Sequence, residues 1–488
     1  MKTVIAAVIA ARAGRPAARH AGQASPARWA LAGLALAMLL SSLGVSIANV
    51  ALPTLAQVFN ASFQHVQWIV LAYLLTGTTL IVSVGRLGDL TGRRRLLLAG
   101  ILLFTTASVL CGVAPTLWTL IAARAAQGLG AAVIMALTMA FVGATVPKEK
   151  TGSAMGLLGT ASAVGTALGP SLGGALLSGL GWRAVFLVNV PLGVLTFLLV
   201  RRHLPADRPA AGPETTRTRF DNAGTLLLAL TLTAYALAMT LGRGDFGPLN
   251  LALLLAAATG VGLFVRTEAR TPSPLIRPEM FRNPALSASL TMSAFVSTVM
   301  MATLVVGPFY LSRALGLNAA LVGLVMSVGP LNTALTGVPA GRIVDRLGAQ
   351  RMTVVGLIGV AAGSLALSMT PRTLGVIGYI APIVITTAGY ALFQAANNTA
   401  VMADVGPDRR GLVSGMLNLS RNLGFITGTS VMGAVFALAS ATTDITTASP
   451  DAVAGGMRIT FAAAAALMIA ALAVAGGSRA AARRTPAA

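Results

Sequence analysis

Long apolar runs recur along the whole chain, and each is close to the roughly 20 residues that a helix needs to cross a bilayer. Only 10% of the 488 residues are charged and the mean hydropathy is +0.81, whereas a soluble domain carries about a quarter charged residues. Alternating strands of about ten residues, typical of a transmembrane barrel, are missing from the sequence. We therefore predict an all-α polytopic membrane protein with fourteen spans. The predicted spans are 29–52, 66–85, 96–114, 118–144, 153–178, 184–201, 223–242, 248–266, 285–311, 318–341, 352–370, 374–402, 411–439 and 457–476.

The basic residues are distributed unevenly between the two sides that these spans define. Of the 35 Lys and Arg residues, 28 fall in the termini and loops of one side and 5 in the loops of the other. Because Lys and Arg are enriched in cytoplasmic loops, we predict a plasma-membrane protein with both termini in the cytoplasm. Topology accounts for the net charge of +22, and we predict no nucleic-acid partner.

A charged segment between spans 2 and 3 has a counterpart in the second half of the chain. Residues 85–95 read GRLGDLTGRRR, and residues 341–351 read GRIVDRLGAQR. The two aspartates are 256 positions apart (345 − 89). A carboxylate beside clustered arginines can act as a latch between the cytoplasmic helix ends; a plain charged hairpin that fixes topology is the alternative. The residues assigned to this cytoplasmic gate are Gly85, Asp89, Gly92, Arg93 and Asp345.

A second repeat links spans 5 and 13. Glycines at positions 152, 156, 165, 169 and 174 are each matched by a glycine 259 positions later (424 − 165 for the third pair). Duplicated halves are a known plan of membrane transporters, with the substrate site between the halves near the midplane. The predicted organisation is a cytoplasmic basic tail 1–28, a six-helix lobe 29–201, a cytoplasmic linker 202–222, two extra helices 223–266, a second six-helix lobe 285–476 and a cytoplasmic tail 477–488.

With these repeats, the chain resembles the major facilitator superfamily, and residues 85–95 match its loop between helices 2 and 3. Residues 165–174 read GTALGPSLGG and are similar to the helix-5 motif of antiporters in this superfamily, which its uptake members usually lack. Glycines four apart permit close helix contact, and a proline permits a bend. Simple close packing is the alternative interpretation. The motif residues are Gly165, Gly169, Pro170, Gly173 and Gly174.

Three further stretches resemble the fourteen-span drug:proton antiporter family. They are WRAVFLVNVPLG at 182–193, WIVLAYLL at 68–75 and RAAQGLG at 124–130. The resemblance covers residues 29–476 and implies export of drug-like compounds coupled to protons. The sequence contains no Walker loop, nucleophile elbow or paired metal ligands. We therefore predict no enzyme activity, cofactor, metal or nucleotide, so uphill transport would depend on an ion gradient.

The end of span 1 departs from that family. Residues 43–53 read LGVSIANVALP, and Gly44 stands where the family has an Asp that is implied in proton or cation handling. All 13 acidic residues fall in loops or at span ends. A lipophilic cation would therefore find no counter-charge near the middle of the membrane.

Two arginines, in contrast, lie inside predicted spans. Arg421 is about ten residues into span 13, roughly 15 Å deep, and such a charge usually marks a substrate or ion path. We assign Arg421 to the substrate cavity and Arg124 to coupling; an arginine that snorkels or pairs with carbonyls is the alternative. The other residues assigned to a polar cavity are Asn49, Tyr73, Gln127, Gln394, Asn397, Asn398, Asn418 and Asn422. Together they suit neutral or anionic, hydroxylated or aromatic compounds.

The sequence thus predicts a secondary active exporter of an antibiotic-like or other small organic compound. It would work as a monomer in the bilayer, by alternating access and proton antiport. Proton coupling follows from the resemblance alone. Two alternatives stay open: a proton-independent facilitator of a neutral or anionic metabolite, and a transport-dead membrane sensor.

Overall fold

The protein is helical throughout the part of the chain that the structure describes. The computed structural model describes residues 26–81, 84–145, 151–205, 222–241, 247–271, 278–403, 410–440 and 448–484. In these ranges, thirteen helices are long and apolar enough to cross a membrane. The helix Phe63–Ile81 is 19 residues long and occupies the place of predicted span 2. Most of the predicted tail 1–28 and linker 202–222 lies outside the described residues.

The first six spanning helices form one lobe. They are α1 (Pro26–Val58), α2 (Phe63–Ile81), α3 (Arg93–Val113), α4 (Leu117–Thr145), α5 (Thr151–Leu180) and α6 (Trp182–His203). Their outward surfaces are apolar, as a lipid environment requires: Leu102, Leu110 and Trp118 are each more than half exposed. Their polar backbone groups are paired within the helices, which is the condition for crossing a bilayer.

Two extra helices separate this lobe from the second one. They are α7 (Asn222–Thr240) and α8 (Pro248–Glu268). The second lobe contains α9 (Pro284–Phe309, extended by a π-helical turn Tyr310–Ala314), α10 (Ala319–Leu347), α11 (Ala349–Met369), α12 (Gly375–Ala403), α13 (Arg410–Thr427, continued by a π-helical turn Gly428–Met432 and by Gly433–Ala439) and α14 (Pro450–Arg484). Asn283 and Asn318 cap the starts of α9 and α10 with their side-chain oxygens, as is usual for this residue at an N-cap.

The two lobes repeat one packing pattern. In the first lobe α1 packs on α5 and α6, α4 packs on α2 and α3, and α3 packs on α6. In the second lobe α9 packs on α13 and α14, α12 packs on α10 and α11, and α11 packs on α14. The fold class, two related six-helix lobes plus two extra helices, is therefore confirmed.

The charged segments 85–95 and 341–351 are mostly helical, whereas the sequence suggested a hairpin loop. After α2, residues Val84–Thr91 are helical, and the turn into α3 is made at Gly92 with a φ of 94°. Likewise α10 continues to Leu347, and Gly348 makes the turn with a φ of 88°. A positive φ favours glycine, which explains why both turns have one at equivalent positions. We call this the inner end of the bundle, and the end with the α1–α2 turn the outer end.

Several helices extend beyond the predicted spans. The helix α1 continues to Val58 rather than ending at 52, α2 covers 63–81 rather than 66–85, and α14 covers 450–484 rather than 457–476. Apolar runs locate the part of a helix that lies in hydrocarbon, but intrahelical hydrogen bonding continues past it into polar sequence. The sequence 477–484, expected as a tail, is therefore helical.

Candidate functional site

Arg124 is the centre of a buried polar network in the first lobe. It lies in α4 with 1% of its surface exposed. Its Nε donates to the carbonyl of Ile69 in α2, and its Nη1 donates to the carbonyl of Gly44 in α1, both at 2.9 Å. The guanidinium carbon also lies 4.3 Å from the centre of the Tyr73 ring, a cation–π distance. One side chain thus connects three helices.

The network continues into a fourth helix. The Nη1 of Arg124 donates to Oε1 of Gln127 at 2.5 Å, and Nε2 of Gln127 donates to Ser108 of α3 at 2.7 Å. The hydroxyl of Tyr73 donates to the carbonyl of Ser41 at 3.1 Å. The structure therefore brings together Tyr73, Arg124 and Gln127, three of the predicted site residues. Asn49 is also fully buried, but its amide donates to the carbonyl of Val45 in its own helix.

Position 44 has neither a carboxylate nor space for one. A Cβ atom on Gly44 would lie 2.8 Å from Cζ of the Phe104 ring, closer than real Cβ contacts allow. Phe104 is itself fully buried. Arg124 instead uses the Gly44 carbonyl, and its Nη2 is buried without a hydrogen-bond partner among the described residues. Among the described residues, the contacts of this cationic side chain are therefore to carbonyl and amide dipoles and to an aromatic ring.

The polar residues predicted in α12 differ in how deeply they are enclosed. Asn397 is 1% exposed and donates to the carbonyl of Ser289 in α9 at 3.4 Å. Gln394 is half-buried, and its Nε2 donates to the hydroxyl of Tyr390 at 3.0 Å. Asn398 is also half-buried. The Asn397 bond connects α12 with α9, whereas the Gln394 bond stays within α12 and part of the α12 side-chain row is accessible.

Arg421 occupies a different environment from Arg124. It is half-buried in α13, together with Asn418 and Asn422. Its Nε is buried and has no hydrogen-bond partner in the described part of the chain. Its neighbour Ser420 fixes the helix by donating to the carbonyl of Leu290 in α9. The side chain of Arg421 is thus partly accessible and has donors to spare, whereas that of Arg124 is enclosed.

The helix-5 glycines pack against α1. A Cβ on Gly165 would collide with the carbonyl of Leu39, one on Gly169 with Ser46, and one on Gly173 with Val50. The helix continues through Pro170 without interruption. Glycines at this spacing bring two membrane helices into backbone contact. In the second lobe, α13 packs against α9 in the same way. Gly424 and Gly428 lie against the carbonyls of Ala294 and Thr298 in α9.

The last matched glycine of each helix contacts the opposite lobe. A Cβ on Gly174 would lie 2.5 Å from the Ala319 carbonyl and 2.9 Å from Cα of Gly323, both in α10. Gly433, after the π-helical turn of α13, lies against the side chain of Gln67 in α2. The amide of Gln67 donates to the carbonyl of Thr429 at 2.9 Å. Both contacts lie toward the outer end, so the lobes are in contact there.

The extra helix α7 braces one of these contacts. Trp68, next to Gln67 in α2, donates from its indole to the hydroxyl of Thr240 at 3.1 Å. Tyr235, on the same helix as Thr240, donates to the hydroxyl of Thr427 in α13 at 3.1 Å. The helix α7 is therefore hydrogen-bonded to both lobes at the place where they meet.

The cytoplasmic gate is described only in part. Gly85 and Asp89 lie in the helix Val84–Thr91, but the side chain of Asp89 is outside the described structure. Arg93 starts α3 with an exposed side chain, and Asp345 is exposed near the end of α10. The latch between these groups stays a prediction.

Sequence reasoning missed three residues that the structure places at important contacts. Gln67 and Gly323 join the lobes, and Phe104 fills the space next to Gly44. Gln67 had a detectable signal, because three of the first five residues of α2 are polar: Gln64, His65 and Gln67. Phe104 and Gly323 look like ordinary span residues, and only their neighbours in space distinguish them.

Taken together, two related helical lobes that are in contact toward the outer end, with polar side chains enclosed in each, are the architecture of a class of membrane transport proteins. The sequence model of the Major Facilitator Superfamily matches residues 34–429. The chain belongs to this superfamily.

Relatives and solved structures agree with this assignment. The chain is 34% identical over 411 residues to the drug efflux pump JefA of Mycobacterium tuberculosis, covering 80% of this chain and 77% of that protein. It is 30% identical over 404 residues to the riboflavin transporter RibZ of Clostridioides difficile, covering 83% and 87%. The crystal structure of a bacterial homologue of the human lysosomal transporter Spinster, inward-facing and unoccupied, aligns with a TM-score of 0.68 at 18% identity and covers 96% of this chain and 100% of that one.

Proposed function

We propose that the protein is a secondary active exporter of small organic compounds that carry no net positive charge. The observation on which this rests most is the packing of α5. Its glycines hold it tightly to α1 within one lobe, and Pro170 and Gly174 of the motif contact Gly323 of the other lobe toward the outer end. Such a helix suits a pivot, because it moves as a rigid part of its lobe while the outer contact opens and closes.

The direction of transport is inferred from two sources. The α5 stretch resembles the antiporter motif that uptake members usually lack. A relative named as a drug efflux pump and one named as a multidrug resistance protein are 34% and 32% identical to the chain over 411 and 408 aligned residues. These names describe the relatives. That this chain exports antibiotic-like compounds is our proposal.

The charge of the cargo is inferred from the two arginines. Arg124 and Arg421 place positive charge inside the lobes, and position 44 carries no carboxylate to balance it. Because a second positive charge would be repelled in a medium of low dielectric constant, neutral and anionic compounds are favoured. Aromatic hydroxylated cargo fits the amide and hydroxyl groups of α12.

A specific observation also favours a second candidate, a facilitator that needs no proton. Gly44 stands where the resemblance implies an acid in helix 1, and Phe104 occupies the adjacent space. Without that carboxylate, a proton would need another carrier group inside the protein. A relative named as a riboflavin transporter adds a flavin to the compounds worth testing.

The deciding experiment uses everted membrane vesicles that contain the protein, a fluorescent anionic aromatic compound and riboflavin. Proton antiport predicts uptake into the vesicles when the lumen is acidified, and loss of that uptake when an uncoupler is added. A facilitator predicts equilibration that the uncoupler leaves unchanged. Saturable binding with neither flux would show a sensor and contradict both transport proposals. Vesicles from the same host without the protein are the control.

A further inference from the structure

A cavity of about 230 Å³ lies between the two lobes at the outer end. Its floor is apolar and consists of Val50 and Pro53 of α1 and Val322 of α10, all of which are buried. Its rim is polar, with Gln57 and Thr54 from α1 on one side and Ser312 from the turn after α9 on the other. Gln57 is exposed and the two hydroxyl residues are half-buried, so the cavity is reached from the outer surface.

The cavity has one charged lining residue, Arg313. It is half-buried and sits in the π-helical turn Tyr310–Ala314, a type of distortion that is frequent at functional sites. No hydrogen bond or ion pair to Arg313 is found within the described ranges. Its guanidinium therefore has its donors available for a ligand.

The other described arginines at this end of the bundle all have partners. Arg372 pairs with Asp451 at 2.7 Å. Arg458 donates to the carbonyl of Ser368 at 3.2 Å, and Arg183 stacks on Trp182 at 4.5 Å. These three are satisfied by the protein, and Arg313 is the exception. An arginine that serves only to fix topology could have a partner within the protein, as Arg183, Arg372 and Arg458 do.

We propose that this cavity binds a small organic carboxylate. A guanidinium matches a carboxylate in a bidentate pair, the rim hydroxyls and amide can hold the remaining lone pairs, and the apolar floor accommodates a ring or short chain. The volume lies below the roughly 300–1,000 Å³ of drug-sized sites. The ligand is therefore smaller than an antibiotic-like cargo, and the cavity is distinct from the polar groups of α4, α12 and α13.

Binding there also controls the transport cycle. Both lobes line the cavity, so separation of α1 from α9 and α10 would take it apart. A ligand that binds only one state shifts the population toward that state. The carboxylate thus holds the outer end closed. Given the proposed export function, a carboxylate that accumulates outside the cell would slow further export.

The binding test uses purified full-length protein and benzoate in equilibrium dialysis near neutral pH. We expect one saturable site for benzoate and much weaker binding of the neutral analogue benzamide. Arg313→Gln should weaken benzoate binding by at least about tenfold, while Arg458→Gln, a matched control at the same end, should leave it unchanged. Equal binding to Arg313→Gln, or loss of binding in Arg421→Gln, would overturn the assignment.

A second variant and a second readout make the result independent of the folding of Arg313→Gln. Thr54→Phe keeps every charge but fills the cavity from its rim, and we expect it to abolish benzoate binding. The distance between spin labels at Leu180 and Ile377, both exposed at the outer end, should shift toward its short, closed population when benzoate is added. Binding without this shift would refute the control of the cycle. These measurements need no transported cargo, so they stand apart from the test of export.

Discussion

Two of the seams between the lobes at the outer end, α5 with α10 and α2 with α13, are built from different interactions. In the α5–α10 seam, Gly174 and Gly323 bring the two backbones together with no side chain between them. In the α2–α13 seam, Gln67 inserts between the helices and donates to the Thr429 carbonyl. One seam depends on shape alone, and the other on a buried hydrogen bond.

The difference has a consequence for how each seam opens. Backbone contact between glycines loses only dispersion energy when it separates, and no polar group is left unpaired. Breaking the Gln67 bond leaves a buried amide and a carbonyl without partners until water enters. The helix α7, hydrogen-bonded to Trp68 and to Thr427, lies only on the polar side. We therefore expect the α5–α10 seam, the glycine seam, to let the lobes move past each other. We expect the α2–α13 seam, the polar seam, to stabilise the closed state through the Gln67 hydrogen bond, which we call the fastening.

The largest expected effect comes from filling the glycine seam with Gly174→Val. The new side chain would collide with backbone atoms of Ala319 and Gly323, which cannot rotate away as a side chain can. Overpacking of this kind costs about 3 kcal/mol, which corresponds to roughly a hundredfold loss of the state that is closed at the outer end. The distance distribution between spin labels at Leu180 and Ile377 would report this as a shift to the open population.

The matched control for that variant is Gly179→Val, one and a half turns further along the same helix. A Cβ there meets nothing within 4 Å, so the label distances should remain those of the parent protein. The single cysteine, Cys111, is fully buried and leaves labelling to the introduced sites. If Gly174→Val and Gly179→Val gave the same distances, the glycine seam would have no special role.

The sequence predicted one seam better than the other, for a physical reason. Spaced glycines in a membrane helix indicate close contact with another helix, which is one of the two interpretations of the α5 motif. The offset between Gly174 and Gly433 does not extend to their contacts, because Gly174 lies against Gly323 and Gly433 against the side chain of Gln67. A glutamine in a span, by contrast, says nothing about its partner. The acceptor of Gln67 is a backbone carbonyl at Thr429, 362 residues away, in a π-helical turn that no residue type announces.

The buried interior shows the same limit. The sequence indicated Arg124 as a charge inside a span, which agrees with its burial within α4, and it predicted that Gly44 departs from the family pattern. It could not show that the two are hydrogen-bonded to each other through the Gly44 carbonyl. Nor could it show that Phe104, 60 positions from Gly44 (104 − 44), fills the space beside it. Both facts depend on the lateral order of α1, α3 and α4, which apolar runs do not encode.

The polar seam is tested by Gln67→Met, which keeps the length of the side chain but removes its hydrogen-bonding groups. The buried Thr429 carbonyl is then left without this donor, which costs about 1–2 kcal/mol, or roughly tenfold in the closed population. The same labels at Leu180 and Ile377 measure the change. Gln64→Met, in the same turn of α2, is the control and should have no such effect. A closed fraction that is unchanged in Gln67→Met would mean that the bond is not a fastening.

The smallest expected effect concerns the hydrogen bonds from α7 to Trp68 and Thr427, which we call the brace. Tyr235→Phe removes the hydrogen bond from α7 to Thr427 and leaves the aromatic ring in place. Hydrogen bonds between membrane helices contribute about 0.6 kcal/mol on average, so the closed population should fall about threefold. Tyr390→Phe removes a comparable hydroxyl from α12, away from both seams, and should leave the label distances unchanged. In Gln67→Met, the hydrogen bond from α2 to Thr429 is already lost, and Tyr235→Phe should have a larger effect. Among the described residues, α7 would then provide the polar connection between α2 and α13. Equal effects in the two backgrounds would show that the brace and the fastening act independently, and α7 would then be a neighbour of the seam without being part of it.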